Sequence, residues 1–188
     1  PSFDARSTAL SRSSQHILAT LGIWPAVHAE AAPIQRIHVS ERGRLGTTVI
    51  DGDDEGGEPL GYVLENRLLG AALWRAMRDS PNVTVRSPAT VAGVVRADDA
   101  LEVTVQEGGA GTVLRTRLLV VADGARSALR ASLGIAARIR PYEQVAIVGN
   151  VAVHGGGRSG GQGSIAYERF TPDGPLALLP AGQGRYVF

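Results

Sequence analysis

The stretch Leu118-Leu-Val-Val-Ala-Asp-Gly-Ala-Arg-Ser-Ala-Leu-Arg-Ala-Ser-Leu-Gly134 constrains this chain more than any other. Four apolar residues, Leu118 to Val121, read as a strand buried on both faces. Asp123-Gly124 breaks the run. Ala125 to Leu133 then reads as a short amphipathic helix, with Gly134 placed to end it in a left-handed conformation. The order is strand, Asp-Gly turn, helix. In an open α/β sheet the carboxyl edge of such a strand is where ligands bind. Asp123 thus stands where a carboxylate can accept hydrogen bonds from a ribose or a water, and Gly124 removes a side chain that would hold a ligand away. Arg126 falls in the first helical turn, an unfavourable place for a cation unless an anion is near. Asp-Gly is also among the commonest turn dipeptides, so on these residues alone a plain connection stays open.

Around this unit the periodicities alternate. Asp4 to about Leu21 reads as a helix, with Leu10, Ile17, Leu18 and Leu21 on one face and Gly22 at its end. Ile37–Ser40 and Thr47–Ile50 read as strands joined across Glu41-Arg-Gly-Arg44. Residues 51–59 form an acidic loop without the ligand spacing of a calcium-binding hand. Glu65–Arg78 reads as a second helix, stopped by Asp79-Ser-Pro-Asn82. Val83–Arg86 reads as a short strand. An antiparallel meander follows: Thr90–Arg96, Leu101–Gln106 and Thr112–Arg117, turning at Asp98-Asp99 and Gly108-Gly109. From Gln144 the chain is β-rich again, with a hairpin loop expected across the glycine-rich residues 155–163.

Composition removes several classes of function. The 188 residues carry 19 basic and 18 acidic side chains, without a basic stripe, so nucleic acid is not an expected partner. The absence of cysteine excludes disulfides and thiolate chemistry and fits a reducing compartment. No apolar run reaches the length of a membrane span, and no signal peptide is visible. His16, His28, His38 and His154 show no paired spacing, so no metal is expected; Trp24 and Trp74 read as packing.

Val121-Ala-Asp-Gly-Ala-Arg-Ser-Ala-Leu-Arg130 resembles the Asp-Gly motif of the FAD-dependent aromatic hydroxylases, the para-hydroxybenzoate hydroxylase-like family. Phe3–Leu10, Pro141–Val151 and Tyr167–Pro180 resemble that family's ubiquinone-biosynthesis branch, and the four segments occur in the family's order over essentially the whole chain. The resemblance implies an α/β fold: part of an FAD-binding Rossmann-type domain (residues 1–30 and 60–140) with an antiparallel β-sheet substrate domain (31–60 and 141–188). It implies FAD and NADPH as cofactors. It implies hydroxylation of a polyprenylated phenol by molecular oxygen, in the cytoplasm and at the inner-membrane surface or a ubiquinone-synthesis complex where the prenyl tail requires it.

By the same resemblance Arg6 faces the FAD pyrophosphate or flavin edge, and Glu65, with Arg67 the weaker candidate, faces the cofactor. Val91 and Ala92 pack an adenine, and Asp123 and Gly124 face FAD and the nicotinamide. Tyr167, Arg169, Phe170 and Pro175 shape the substrate pocket. Helix-start polarity explains Glu65 and Arg67 equally, and strand core explains Val91. Alternation divides Tyr167 and Arg169 from Glu168 and Phe170 without saying which face is wet. No catalytic base can be named. The chain departs from the family in lacking the opening Gly-x-Gly-x-x-Gly turn and the later Gly-Asp motif, so an internal piece of a longer protein is expected. A sister hydroxylase, a reductase or halogenase of the same superfamily, and a non-catalytic binding module remain as alternatives.

Overall fold

The computed structural model describes residues 6–153 and 162–188. The hairpin loop expected at residues 155–163 lies mostly outside them, as do His154 and residues 3–5. The described chain is mixed α/β, with few helices and prominent sheets. It forms two compact units: residues 1–82 with 145–188, and residues 83–144.

The first unit opens with β1 (Ser7–Ser11), not with a helix. The expected helix over residues 4–21 contracts to α1 (Arg12–Thr20). Leu10 falls on the same helical face as Ile17 and Leu21, which masks the strand, but Ser11 is the true boundary. Its extended backbone caps α1, and its hydroxyl accepts from the Ser14 amide at 3.2 Å. Gly22 ends α1 as expected. At φ +71° its amide bonds Ala19 O and the next amide bonds Leu18 O, the paired bonds of a Schellman cap. Two short 3-10 turns, Trp24–Ala26 and His28–Glu30, lead into β2 (Ala32–Ile34).

The hairpin of β3 (Arg36–Glu41) and β4 (Thr47–Asp51) forms as expected, with His38 opposite Val49. Beyond the acidic loop comes β5 (Gly61–Glu65), then α2 (Asn66–Asp79). β5 is the central strand of an antiparallel sheet ordered β1-β5-β2. Adjacent residues of β5 serve two cores. Val63 joins Ala32 and Ile34 on one face; Leu64 joins Trp24 and Val27 on the other, under α1 and α2.

After the second unit the chain returns as β9 (Asn150–Ala152), β10 (Ile165–Thr171), β11 (Gly174–Pro180) and β12 (Arg185–Val187). With the early hairpin they make a six-stranded sheet ordered β4-β3-β10-β11-β12-β9. Every pairing in it is antiparallel except β3 with β10, which run parallel with Arg36 beside Ile165. Ala166 and Val187 of this sheet pack against Ala32, Ile34 and Val63, so one apolar layer lies between the two sheets.

The second unit holds the expected meander: β6 (Thr90–Arg96), β7 (Leu101–Glu107) and β8 (Ala110–Thr116). Gly108 and Gly109 turn its second hairpin with φ +56° and +90°, a conformation open to glycine. Val83–Arg86 is not a strand, despite its alternation, because no described strand pairs with it. The larger correction concerns Leu118–Val121. These residues form no strand, and Leu118 and Val120 are each 75% exposed. A strand buried on both faces needs a ladder on each side, and no described element supplies one. The helix that follows is α3 (Ala128–Ser132), shorter than Ala125–Leu133, and Gly134 at φ +69° caps it as expected. Its amide reaches Ala131 O at 3.1 Å and that of Ile135 reaches Arg130 O at 3.1 Å.

Candidate functional site

In the second unit the Asp-Gly turn is built from the helix start backward. Ser127 is the buried polar residue here, at 6% exposure. Its hydroxyl accepts from the Arg130 amide at 2.9 Å, capping α3, and it also hydrogen-bonds the Asp123 carboxylate. That bond, chiefly, holds the Asp123 carboxyl below its ordinary pKa, with the Arg130 charge adding a smaller pull. Arg130 is itself anchored, donating from Nη2 to Ala125 O at 3.1 Å. Asp123 is exposed and, with its pKa lowered, is an ionised acceptor.

Gly124 has φ +90°, and no heavy atom lies within 4 Å of where a Cβ would stand. The turn is open rather than filled, and a flat or hydroxyl-bearing ligand can approach its backbone. Val91 lies on β6, against which α3 packs, at the point where a bulge shifts the β6–β7 register between Val91 and Gly93. It is partly exposed apolar surface, as is the neighbouring Ala92, and such surface suits a flat ring.

In the first unit β1, β5 and α2 bring Arg6 and Glu65 together. Ser7 pairs with Glu65, and the Asn66 amide donates to Arg6 O at 2.9 Å. Arg6 therefore precedes a strand instead of opening a helix. Glu65 is the N-cap residue of α2, yet its side chain makes no cap bond. Its carboxylate instead takes the Arg67 Nε at 2.6 Å. Thr8 donates to Asn66 Oδ1 at 2.5 Å beside it. The pair leaves Glu65 with lone pairs for a hydroxyl, and its charge offset.

The substrate candidates lie on the six-stranded sheet and divide by face. Ala166 faces the core between the sheets, so Glu168 and Phe170 follow it; Phe170 pairs with Pro175 on that side. Tyr167 and Arg169 stand on the other face. There Tyr167 meets two rings that the sequence left unassigned. His38, its ladder partner on β3, lies 5.8 Å away by ring centroids at 52°; Tyr186 of β12 lies 6.4 Å away at 50°. Burial, with Tyr167 nearby, pushes the Tyr186 hydroxyl above its ordinary pKa, so it stays protonated. Arg36 on the same face is committed to Asp51, donating from Nε at 2.6 Å.

Sequence reasoning thus missed Ser127, Arg130, His38 and Tyr186. A serine three residues before Arg130 at a helix start was a readable cap signal. His38 was readable only once Ile37 was known to face inward. Among the described residues no group of three His, Asp or Glu could hold a metal ion.

The model of the FAD binding domain matches residues 1–187. The chain belongs to that family. It is 34% identical over 178 residues to the 3-demethoxyubiquinol 3-hydroxylase of Escherichia coli strain K12, covering 94% of this chain and 43% of that protein. It is 36% identical over 179 residues to ubiquinone hydroxylase UbiL of Rhodospirillum rubrum, covering 95% and 39%. The chain therefore spans about two fifths of the length of these curated relatives. Among solved structures it resembles p-nitrophenol 4-monooxygenase PnpA from Pseudomonas putida. The TM-score is 0.69 at 16% identity, over 99% of this chain and 47% of that one. An HpxO variant from Klebsiella pneumoniae in complex with FAD gives 0.69 at 18%, over 97% and 46%. At such identities these two likenesses establish a shared fold. As a member of an FAD-binding family the chain has FAD as its cofactor. The open Gly124 turn, the ionised Asp123 carboxylate and the apolar Val91 surface fit that group.

Proposed function

We propose that the protein carrying this chain is an FAD-dependent monooxygenase that hydroxylates the ring of a polyprenylated phenol in ubiquinone biosynthesis. The observation that carries the reading is the Asp123-Gly124 turn, with its ionised carboxylate and open backbone, in a chain whose relatives are ubiquinone hydroxylases. When bound, FAD supplies the activation of oxygen and its delivery to the ring, and NADPH supplies the electrons.

The chain's own residues bind and orient. Asp123 accepts hydrogen bonds from cofactor hydroxyls while Gly124 lets the cofactor approach. Arg6 and Glu65 are cofactor contacts, and Val91 packs an adenine. Residues 1–30 and 60–140 form the cofactor-binding portion; residues 31–60 and 141–188 form the substrate-binding portion. Tyr167, Arg169, Phe170 and Pro175 shape the pocket for the phenol. A 2-polyprenyl-6-methoxyphenol is one candidate substrate. A long prenyl tail places the enzyme in the cytoplasm beside the inner membrane. No described helix is long and apolar enough to cross one.

The test is to purify the full-length protein, identify any released cofactor by mass, and follow NADPH oxidation and ring hydroxylation with prenylated phenols. Bound FAD with phenol-dependent oxygen insertion is expected. Flavin reduction without insertion would shift the assignment to a reductase or halogenase, and absence of FAD would leave a binding module.

A further inference from the structure

We propose that Arg12 is a positioning residue for the cofactor: its guanidinium sets the register of β1 against β5, and that register brings Arg6 to Glu65. The inference rests on the reading of Arg6 and Glu65 as FAD contacts and adds a residue that acts through them from the other end of β1.

Arg12 is the first residue of α1, directly after the Ser11 cap that ends β1. Its guanidinium donates three bonds to the backbone of the loop that leads into β5. They run from Nε to Pro59 O at 3.2 Å, from Nη1 to Glu55 O at 3.0 Å and from Nη2 to Glu58 O at 2.9 Å. A planar fork of donors satisfied by three carbonyls defines one position, as a single ammonium does not. The Glu58 carboxylate, 3.8 Å from Nε and largely exposed, adds little. The loop is itself tied to the strand on the other side of β5. The Gly52 amide donates to Gln35 O at 2.8 Å, that of Gly57 to Gly52 O at 2.9 Å and that of Leu60 to Ile34 O at 2.8 Å. Arg12 thus fastens β1 to a loop already fixed against β2.

β1 has few other marks of register. It stands at the edge of the sheet ordered β1-β5-β2. Leu10, packed toward Trp24 and Leu64, is the one large apolar residue in Ser7–Ser11, so the side-chain pattern specifies the pairing weakly. The ladder pairs Ser11 with Gly61 at the Arg12 end and Ser7 with Glu65 at the other, where the Asn66 amide reaches Arg6 O. An extended strand does not stretch, so fixing one end of β1 fixes the other, about 17 Å away at about 3.4 Å per residue. A slip of two residues would keep every side chain on its own face and still carry Arg6 past Glu65.

The test is a double-mutant cycle on the full-length protein, stripped of FAD and titrated with FAD by flavin fluorescence. Arg12→Ala is expected to weaken FAD binding about tenfold, a change of about 1.4 kcal/mol. It is also expected to move the visible circular dichroism of the bound flavin toward that of Arg6→Ala. In the Arg6→Ala background Arg12→Ala is expected to add little, because the residue acts through Arg6. Arg12→Lys, which keeps the charge without the fork, is expected to fall between wild type and Arg12→Ala, and it carries the same cycle if Arg12→Ala folds poorly. Wild-type affinity in either Arg12 variant, or an equal further loss in the Arg6→Ala background, would overturn the inference while the cofactor reading stood. Wild-type affinity in Arg6→Ala would remove Arg6 as a contact and the inference with it.

Discussion

Asp123 draws its character from Ser127, and that dependence can be measured. Ser127→Ala removes the hydrogen bond that chiefly lowers the Asp123 pKa, so the pKa should rise toward the ordinary carboxyl value of about 3.9. Carboxyl chemical shifts followed through an acid titration read this directly; an unchanged midpoint would show that another donor holds the group. The sign for stability follows. A depressed folded pKa contributes stability that is present above the ordinary value and lost as pH falls through the lowered one. The wild type should therefore lose this contribution at lower pH than Ser127→Ala, visible as a difference in their acid unfolding curves. Gly124 makes a different demand. Its φ of +90° disfavours any Cβ, so Gly124→Ala should cost about 1–2 kcal/mol in urea melts although space for a methyl group is present. Asp123 and Gly124 were legible as a turn because Asp-Gly breaks an apolar run. Ser127 was passed over because an isolated serine at a helix start carries no sign of a second partner.

Among the elements, those that carry their own pattern were legible. The β3–β4 hairpin, the β6–β7–β8 meander and α2 each show an alternation or helical stripe closed by turn residues. β1, β2 and β5 do not. Ser7-Thr-Ala-Leu-Ser11 has one large apolar residue, and Gly61-Tyr-Val-Leu-Glu65 is apolar on both faces and runs straight into α2. Their identity as strands comes from one another. Gly61 lies where a Cβ would collide with the Leu10 carbonyl oxygen. Gly61→Ala should therefore part β1 from β5, lowering amide protection in Ser7–Ser11 before the rest of the unit responds. Normal protection there would show that the backbone shifts to accommodate the methyl. The converse error was Leu118–Val121, apolar enough for a strand but unpaired. In this chain their amides should exchange far faster than those of Val103 and Val105, which are buried in the centre of the meander.

At the scale of the whole molecule, the layer between the two sheets of the first unit decides whether they behave as one body. Ala166 is 3% exposed within it, facing residues from the other sheet. Ala166→Leu should overpack the layer and cost about 1–3 kcal/mol, loosening both sheets together. Leu64→Ala, on the far side of β5 under the helices, should cost about 2–5 kcal/mol through the cavity it leaves. Denaturant melts give the magnitudes, and hydrogen exchange shows whether one sheet or both respond. No sequence pattern announced the two-sided role of β5, because Val63 and Leu64 are both simply apolar.

The parallel pairing of β3 with β10 bears on synthesis at the ribosome. The β3–β4 hairpin emerges early, and the whole second unit must be made before β10 is available. Until then β3 presents an open edge with exposed amides and carbonyls, a template for strands of other chains. Slow, non-local sheet closure of this kind favours aggregation over folding when nascent chains are crowded. Yield from expression should thus depend on translation rate and temperature more steeply than the stability of the finished protein would indicate.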